Sequence, residues 1–362
     1  MHKKKSDVII VTIISENYGN RLQNYALQKV LENLGFENET MPIKVKYTLK
    51  YKIKLIIKTC LSTIIKKYKD VCWDWFDQNI NWSKFTADTP NIANSYRFFI
   101  AGSDQIWNPT FNCNSEREFL PFAQPEQKIA YAASIGLAEL PTEYKTNYAN
   151  AISSFHAVSV RENAGAKIIE NLIDEKVPVV LDPTMLLSTN EWMKVIKKSK
   201  LNINKKYIVK YFLGIRNTEY DNCIKNYAER NGCIIIDITK PPVNLEKKIG
   251  PGEFVNLIAY SQAVFTDSFH GTVFSILFHR PFIVFERPFE VGYGEMNSRL
   301  DTLLTTFELE GRRINSADQF DLIDFACKFD KTDKILKKRR YDSIAYLRNA
   351  LAMEDKMIEN TN

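Results

Sequence analysis

Residues 8–14 form a continuous apolar, β-branched run, the pattern of a strand buried on both faces. The run ends in the polar turn Glu16-Asn17-Tyr18-Gly19-Asn20. Beyond it, Leu22, Tyr25, Ala26, Val30, Leu31 and Leu34 mark one stripe of a helix, with Gly35 at the stop position. Strand, glycine turn and helix open an α/β domain. The alternation continues with expected strands at 97–101, 128–134 and 156–160, a helix over 163–172 and a strand at 177–181. A basic, Asn-containing stretch at 197–206 reads as a linker. The pattern then restarts, with strands at 207–213, 233–238, 263–266 and 282–285 between helices near 219–230, 253–261 and 271–278. This predicts an α/β chain of two Rossmann-like, doubly wound domains facing a cleft. The expected divisions are 1–200, 201–320 and a charge-rich helical segment at 321–362. No internal sequence repeat is visible.

One segment breaks the rhythm. Between Met41 and Lys69 there are nine lysines and no acidic residue. Ile53, Ile56, Ile57, Cys60, Leu61, Ile64 and Ile65 recur at helical spacing, which predicts a basic amphipathic insertion at 44–69. Its lysine face is either simply solvated or laid on the inner membrane surface as a peripheral contact. The aromatic cluster Trp73, Trp75, Phe76, Trp82 and Phe85 is its expected packing partner.

The chain has 362 residues, 45% hydrophobic and 25% charged, which excludes a largely disordered protein. A net charge of +6 favours an anionic substrate or surface over a nucleic-acid partner, for which a denser basic face is expected. The cysteines (Cys60, Cys72, Cys113, Cys223, Cys233, Cys327) contain no C-x-x-C pair and are expected as buried thiols in a reducing compartment. The basic start at His2-Lys3-Lys4-Lys5 imitates a signal peptide, but no small-x-small cleavage site follows and a first strand explains the apolar run better. No stretch reaches transmembrane length, so a cytoplasmic location is expected.

Four loops hold candidate chemistry, all at predicted strand ends, where doubly wound folds bind ligands. Asp267-Ser268-Phe269-His270-Gly271-Thr272 leads from a strand into a helix whose N-terminus favours an anion. Ser268 or Thr272 would add a hydroxyl, Gly271 would allow close backbone approach, and His270 would donate to phosphate or pass a proton. The plainer alternative is a Ser268 helix cap with His270 packed in a turn. At Ser159-Val160-Arg161-Glu162, Arg161 would grip a carboxylate or phosphate, unless it only pairs with Glu162 at the surface. The loop 101–109 gathers Ser103, Asp104, Gln105, Trp107 and Asn108, a set suited to a sugar, with Asp104 as general base and Trp107 as stacking face or core residue. After the first strand, Asn20 would cap the helix and Gln23 would look toward the cleft. With four histidines, one at position 2, a multi-histidine metal site is not expected.

Taken in order, these motifs resemble the polysaccharide pyruvyl transferase family. Y-G-N-x-L-Q-x-Y-A-L-Q appears at 18–28, G-S-D-Q-I-W-N at 102–108, S-V-R-E at 159–162, D-P-T at 182–184 and D-S-F-H-G at 267–271. The likeness extends through Pro281-Phe282 and Asn297-Ser298-Arg299-Leu300. It implies a glycosyltransferase-B-like fold. It also implies transfer of pyruvate from phosphoenolpyruvate, as co-substrate and without a cofactor, onto two hydroxyls of a sugar or lipid-linked oligosaccharide as a cyclic ketal. By the same resemblance Arg161 and His270 belong to the phosphoenolpyruvate site. Family members commonly carry Arg where this chain has Ser268, and Arg299 or Arg287 is expected to supply the missing charge. The rival readings are a nucleotide-sugar glycosyltransferase of the same fold and a non-catalytic glycan-assembly protein.

Overall fold

The computed structural model describes residues 6–43, 71–111, 116–196, 203–215, 217–241, 249–287 and 297–352. The basic stretch expected as an insertion at 44–69 lies wholly outside the described residues, as do Cys60, Cys113 and part of the expected linker.

The first sheet contains β1 (Val8–Val11), β2 (Asn38–Thr40), β3 (Phe98–Asp104), β4 (Lys128–Ala133) and β5 (Ala157–Val160), in the order β2-β1-β3-β4-β5, all parallel. The second contains β6 (Tyr207–Tyr211), β7 (Ile234–Asp237), β8 (Val264–Thr266), β9 (Phe282–Phe285) and β10 (Arg313–Ile314), in the order β10-β9-β8-β6-β7, also parallel. Counted from its own first strand, each sheet runs 2-1-3-4-5. The repeat is therefore topological even though no sequence repeat is visible. The strand order reverses between β1 and β3 in one sheet and between β6 and β8 in the other. Those two points are where a doubly wound sheet opens a crevice at its strands' carboxyl ends.

Helices of the first domain are α1 (Tyr18–Asn33), α2 (Val71–Asp77), α3 (Thr142–Ile152), α4 (Asn163–Ile173), α5 (Pro183–Leu186) and α6 (Thr189–Ile196). Those of the second are α7 (Thr218–Arg230), α8 (Pro251–Ala259), α9 (Phe269–Leu277) and α10 (Ser298–Phe307), and α11 (Asp330–Ala350) follows as the last among the described residues. Within the charge-rich helical segment expected at 321–362, the described helix α11 clasps the first domain. On α11, Arg339 donates to the Val179 carbonyl, Arg340 to those of Met185 and Leu187, and Tyr346 to that of Ala130, so this helix returns to the first domain.

Residues 177–181 do not form the expected strand: only an isolated bridge joins Val179 to Val160. Pro178 has no N–H to give a ladder, and the chain turns at Pro183 into α5. Asp182 caps that turn by accepting from the Thr184 N–H at 3.0 Å.

The two domains share one apolar core. Tyr18 on α1 stacks on Phe254 of α8 (centroids 5.0 Å, 14°) and on Trp73 of α2 (5.2 Å, 23°). Trp192 of α6 meets Phe274 of α9 edge-on at 5.0 Å. Trp73 and Phe76 thus pack against Tyr18 and Tyr25 of α1, while Phe85 meets Tyr96 and Trp82 stays partly exposed below Arg21. All nine residues of α9 are buried, which explains its apolar sequence. Cys72, Cys223, Cys233 and Cys327 are only half-buried, and the last three pack against the margins of core clusters rather than inside them.

Candidate active site

The two reversal points face each other, and short motifs from both sheets meet between them. Asn17 caps α1 by accepting from the Asn20 N–H at 3.2 Å, which sets the helix start at Tyr18. Three consecutive residues then reach three different partners. Tyr18 stacks on the second domain, and Asn20 donates to Asp104 Oδ2 at 3.3 Å. Gly19 lies against His270: a Cβ on it would stand 1.9 Å from the imidazole Nδ1. Glycine is the side chain that fits here.

Across the cleft, Ser268 caps α9, its hydroxyl accepting from the Gly271 N–H at 3.4 Å. A Cβ on Gly271 would meet Thr266 Oγ1 at 2.6 Å, so this glycine lets the helix start close to β8. Asp267 ties the neighbouring loops together, accepting from the Leu213 and Gly214 N–H groups at 2.7 Å each and pairing with Arg287 at 2.9 Å. His270, on the first turn of α9, is 6% exposed. Its Nε2 stands 3.7 Å from Asp182 Oδ2, beyond hydrogen-bond length, and has no hydrogen-bond partner among the described residues. A buried ring nitrogen left in this way is an open place for a ligand.

Arg161 is placed differently from its expected role. Its side chain is fully buried, with one terminal nitrogen 2.7 Å from Asp182 and the other 3.0 Å from Asp104. The Phe269 ring lies 4.5 Å from its guanidinium carbon. Both outer nitrogens are committed to carboxylates, so in this conformation Arg161 organises the wall rather than gripping a ligand. Nor is it a surface pair with Glu162, whose buried carboxylate accepts from the Ile135 and Gly136 N–H groups at 2.8 and 3.1 Å. Burial alone would raise the Asp182 carboxyl, but His270, Arg161 and Thr184 hold it far below the ordinary carboxylate range. Asp104 shows the same balance: burial raises it, and Arg161, His270 and Arg299 together hold it low. Since both folded-state values lie below the unfolded one, the stabilisation is complete above about pH 4 and is lost as pH falls further. Arg161→Met is therefore expected to cost about 3–5 kcal/mol, because two buried carboxylates lose their counter-charge. Urea unfolding at neutral pH checks this. Lowering the pH toward 3 should narrow the gap between variant and wild type.

Arg299, on the first turn of α10, is 8% exposed and has no carboxylate within 4.0 Å among the described residues. Burial first, and then the Arg161 charge, push its guanidinium down to about 9, with Asp104 opposing only in part. Arginine ordinarily keeps its proton, so the arrangement is a buried cation short of counter-charge. Turning the Gln105 amide so that its oxygen faces Arg299 gives an acceptor 3.3 Å from both terminal nitrogens. A neutral amide leaves the charge itself uncompensated. Arg287, the other arginine considered for this role, is held by Asp267.

Several residues proposed from sequence prove structural. Trp107 is fully enclosed, stacked on Phe119 (5.6 Å, 11°) with its indole N–H on the Glu118 carbonyl, and offers no face to a sugar. Asn108 is a buried turn residue, accepting from the Thr110 N–H and hydroxyl and reaching Gln105 at 2.8 Å. Gln23 points inward and donates to Thr12 Oγ1 and the Asn20 carbonyl. Thr272 spends its hydroxyl on the Ser268 carbonyl one turn back. Ser103 is buried and donates to Asp182 at 2.8 Å, so it orients that carboxylate. What converges on the cleft is His270, Arg299, Asp104 with Asn20, and Gln105, over the Ser268-capped start of α9. Asp182 and Gly19 were not among the predicted site residues. An Asp-Pro-Thr at a strand end, and a Gly between two polar turn residues, were the available signals. Among the described residues no group of three or more His, Cys, Asp or Glu is gathered as metal ligands.

The family model described as polysaccharide pyruvyl transferase matches residues 17–287. No curated protein sequence matches the chain significantly. Among solved structures, a putative UDP-N-acetylglucosamine 2-epimerase from Listeria monocytogenes superimposes with a TM-score of 0.54 at 9% identity, covering 99% of this chain and 100% of that one. The UDP-GlcNAc 2-epimerase from Neisseria meningitidis, solved with UDP-GlcNAc, gives 0.54 at 10% identity over 96% and 99%. That from Methanocaldococcus jannaschii gives 0.50 at 11% identity over 92% and 99%. At such identities the likeness establishes the two-domain, glycosyltransferase-B-like architecture.

Proposed function

Because the chain belongs to the polysaccharide pyruvyl transferase family, we propose that this transferase moves the pyruvyl group of phosphoenolpyruvate onto two hydroxyls of a glycan or its lipid-linked precursor. The observation that carries the reading is Arg299, a buried cation without a carboxylate partner among the described residues, which shares the neighbourhood of Asp104 with a His270 whose Nε2 is open. Arg299 lies just beyond the residues matched by the family model, so its role rests on geometry alone.

Phosphoenolpyruvate carries a carboxylate and a phosphate, and an anion of this kind would balance Arg299 and face the positive end of α9. In the reaction the methylene carbon takes a proton, one sugar hydroxyl adds to the central carbon, and the C–O bond to phosphate breaks. A second hydroxyl closes the ketal. The two hydroxyl protons end on the new methyl group and on phosphate, so the balance needs no water, oxidant or metal. In this reading His270 delivers the proton or stabilises the departing phosphate. Asp104, held low by its cationic neighbours, is better suited to accept a hydrogen bond from a sugar hydroxyl than to act as a strong base. Arg161 and Asp182 position Asp104 and His270. An acceptor at the inner membrane surface, met through the basic stretch at 44–69, belongs to the same proposal.

Ligand-dependent stabilisation separates the donors. At a hundredfold excess over Kd, a ligand that binds only the folded state adds about 2.7 kcal/mol. Phosphoenolpyruvate is expected to raise the melting temperature in this way, and UDP-sugars are not. The reverse order would favour a nucleotide-sugar glycosyltransferase.

A further inference from the structure

A second cavity, of about 700 Å³, opens in the first domain and shares no lining residue with the His270 constellation. Its size falls in the range of small-ligand sites. One wall is a single face of α3, where Tyr144, Asn147, Tyr148 and Ala151 follow one another at helical spacing. Phe119 also lines it, its ring edge-on to Tyr148 at 5.0 Å and backed by Trp107.

Lys128, the first residue of β4, sits in this cavity and is only 7% exposed. Its ammonium donates to Ser154 Oγ at 3.0 Å, and no carboxylate lies within 4.0 Å of it among the described residues. The Phe155 ring centroid stands 5.9 Å away. Burial pushes the ammonium down from its ordinary range, as expected for a desolvated charge without an anion. The carboxylate that lines the cavity, that of Glu116, is exposed. Around the lysine stand groups of another kind: an exposed Tyr144 ring (36%) and the exposed amides of Asn147 and Asn150. Aromatic faces stack on the apolar side of a sugar ring, amides pair with its hydroxyls, and a buried ammonium wants a carboxylate.

We propose that this cavity binds an acidic sugar unit of a glycan, with the sugar carboxylate on Lys128, the ring against Tyr144, and the hydroxyls on Asn147 and Asn150. The site is independent of the donor assigned to the cleft and would hold a stretch of the glycan apart from the reacting unit.

Calorimetric titration of the full chain with trigalacturonate, and with maltotriose as its uncharged counterpart, tests the site. Trigalacturonate is expected to bind at least about tenfold more tightly than maltotriose, the value of one charge-assisted hydrogen bond. Lys128→Met should remove that preference while leaving the melting temperature equal or higher, since it deletes an unpaired buried charge. Tyr144→Ala, a change at an exposed position, should weaken the binding of both sugars. Equal affinity for the two sugars would overturn the proposal, as would a preference that survives Lys128→Met. Binding lost in Arg299→Met but kept in Lys128→Met would place the glycan in the cleft and also overturn it. Because none of these outcomes involves phosphoenolpyruvate, they stand or fall apart from the donor reading.

Discussion

Gly19→Ala is expected to lower kcat for phosphoenolpyruvate turnover at least about a hundredfold, the usual consequence of misplacing a reacting group by an ångström. The added Cβ would stand 1.9 Å from His270 Nδ1, 2.4 Å from Cγ and 2.6 Å from Cε1. These are atoms of a rigid ring on a fully buried helix, so the contact is relieved only by moving the imidazole or by parting the domains. Either movement separates His270 from Asp182 and from the start of the cleft. Local folding should not suffer, because Gly19 lies in the first turn of α1, where alanine is favoured over glycine by up to about 1 kcal/mol. A double-mutant cycle isolates the mechanism. In a His270→Ala background, which removes the ring, Gly19→Ala should have almost no further effect on kcat. An equal loss in both backgrounds would mean that Gly19 acts through something other than His270.

Arg299→Met carries the second large effect, and it runs in opposite directions for stability and binding. Exchanging a buried, unpaired cation for an apolar side chain of similar length should raise the melting temperature. The same change should weaken phosphoenolpyruvate binding at least about a hundredfold, since the guanidinium would contribute more than one charge-assisted hydrogen bond to the anion. Arg299→Lys keeps the charge without the planar fork and should fall between the two. Thermal melts with and without ligand read both effects on the same samples. A variant that is destabilised and still binds normally would show that Arg299 is structural.

Much of the fold was legible because its central strands are short β-branched runs that a parallel sheet buries on both faces. β1, β6, β8 and β9 announce themselves in this way, while β3 and β4 are read from mixed apolar runs with one β-branched residue each, and β7 is an isoleucine run at a sheet edge. β2 is Asn-Glu-Thr at a sheet edge and β10 has two residues, so neither has an apolar run to read. The misread strand at 177–181 had the right composition and the wrong backbone, because Pro178 cannot donate. The site was legible as places rather than as roles. Loops at strand ends marked where His270, Asp104 and Arg161 would meet. Whether Arg161 faced a ligand or a carboxylate depended on Asp104 and Asp182, 57 and 21 residues away in sequence, and nothing local to Ser-Val-Arg-Glu reveals them. Trp107 looked like a sugar platform for the same reason: the rings that enclose it, Phe119 and Phe155, come from other segments. Gly19 and His270 touch only because the two domains close on each other. That contact belongs to the tertiary structure alone.

On the function proposed above, the cleft at Arg299 and His270 takes phosphoenolpyruvate and leaves its pyruvyl group on a sugar. Mass spectrometry of glycan acceptors incubated with enzyme and phosphoenolpyruvate, with phosphate release followed in parallel, tests it most directly. One phosphate should be released for each acceptor gaining one ketal-linked pyruvyl group, with both signals lost together in His270→Ala and Arg299→Met. Acceptor modified from a nucleotide sugar, with phosphoenolpyruvate left intact, would contradict it.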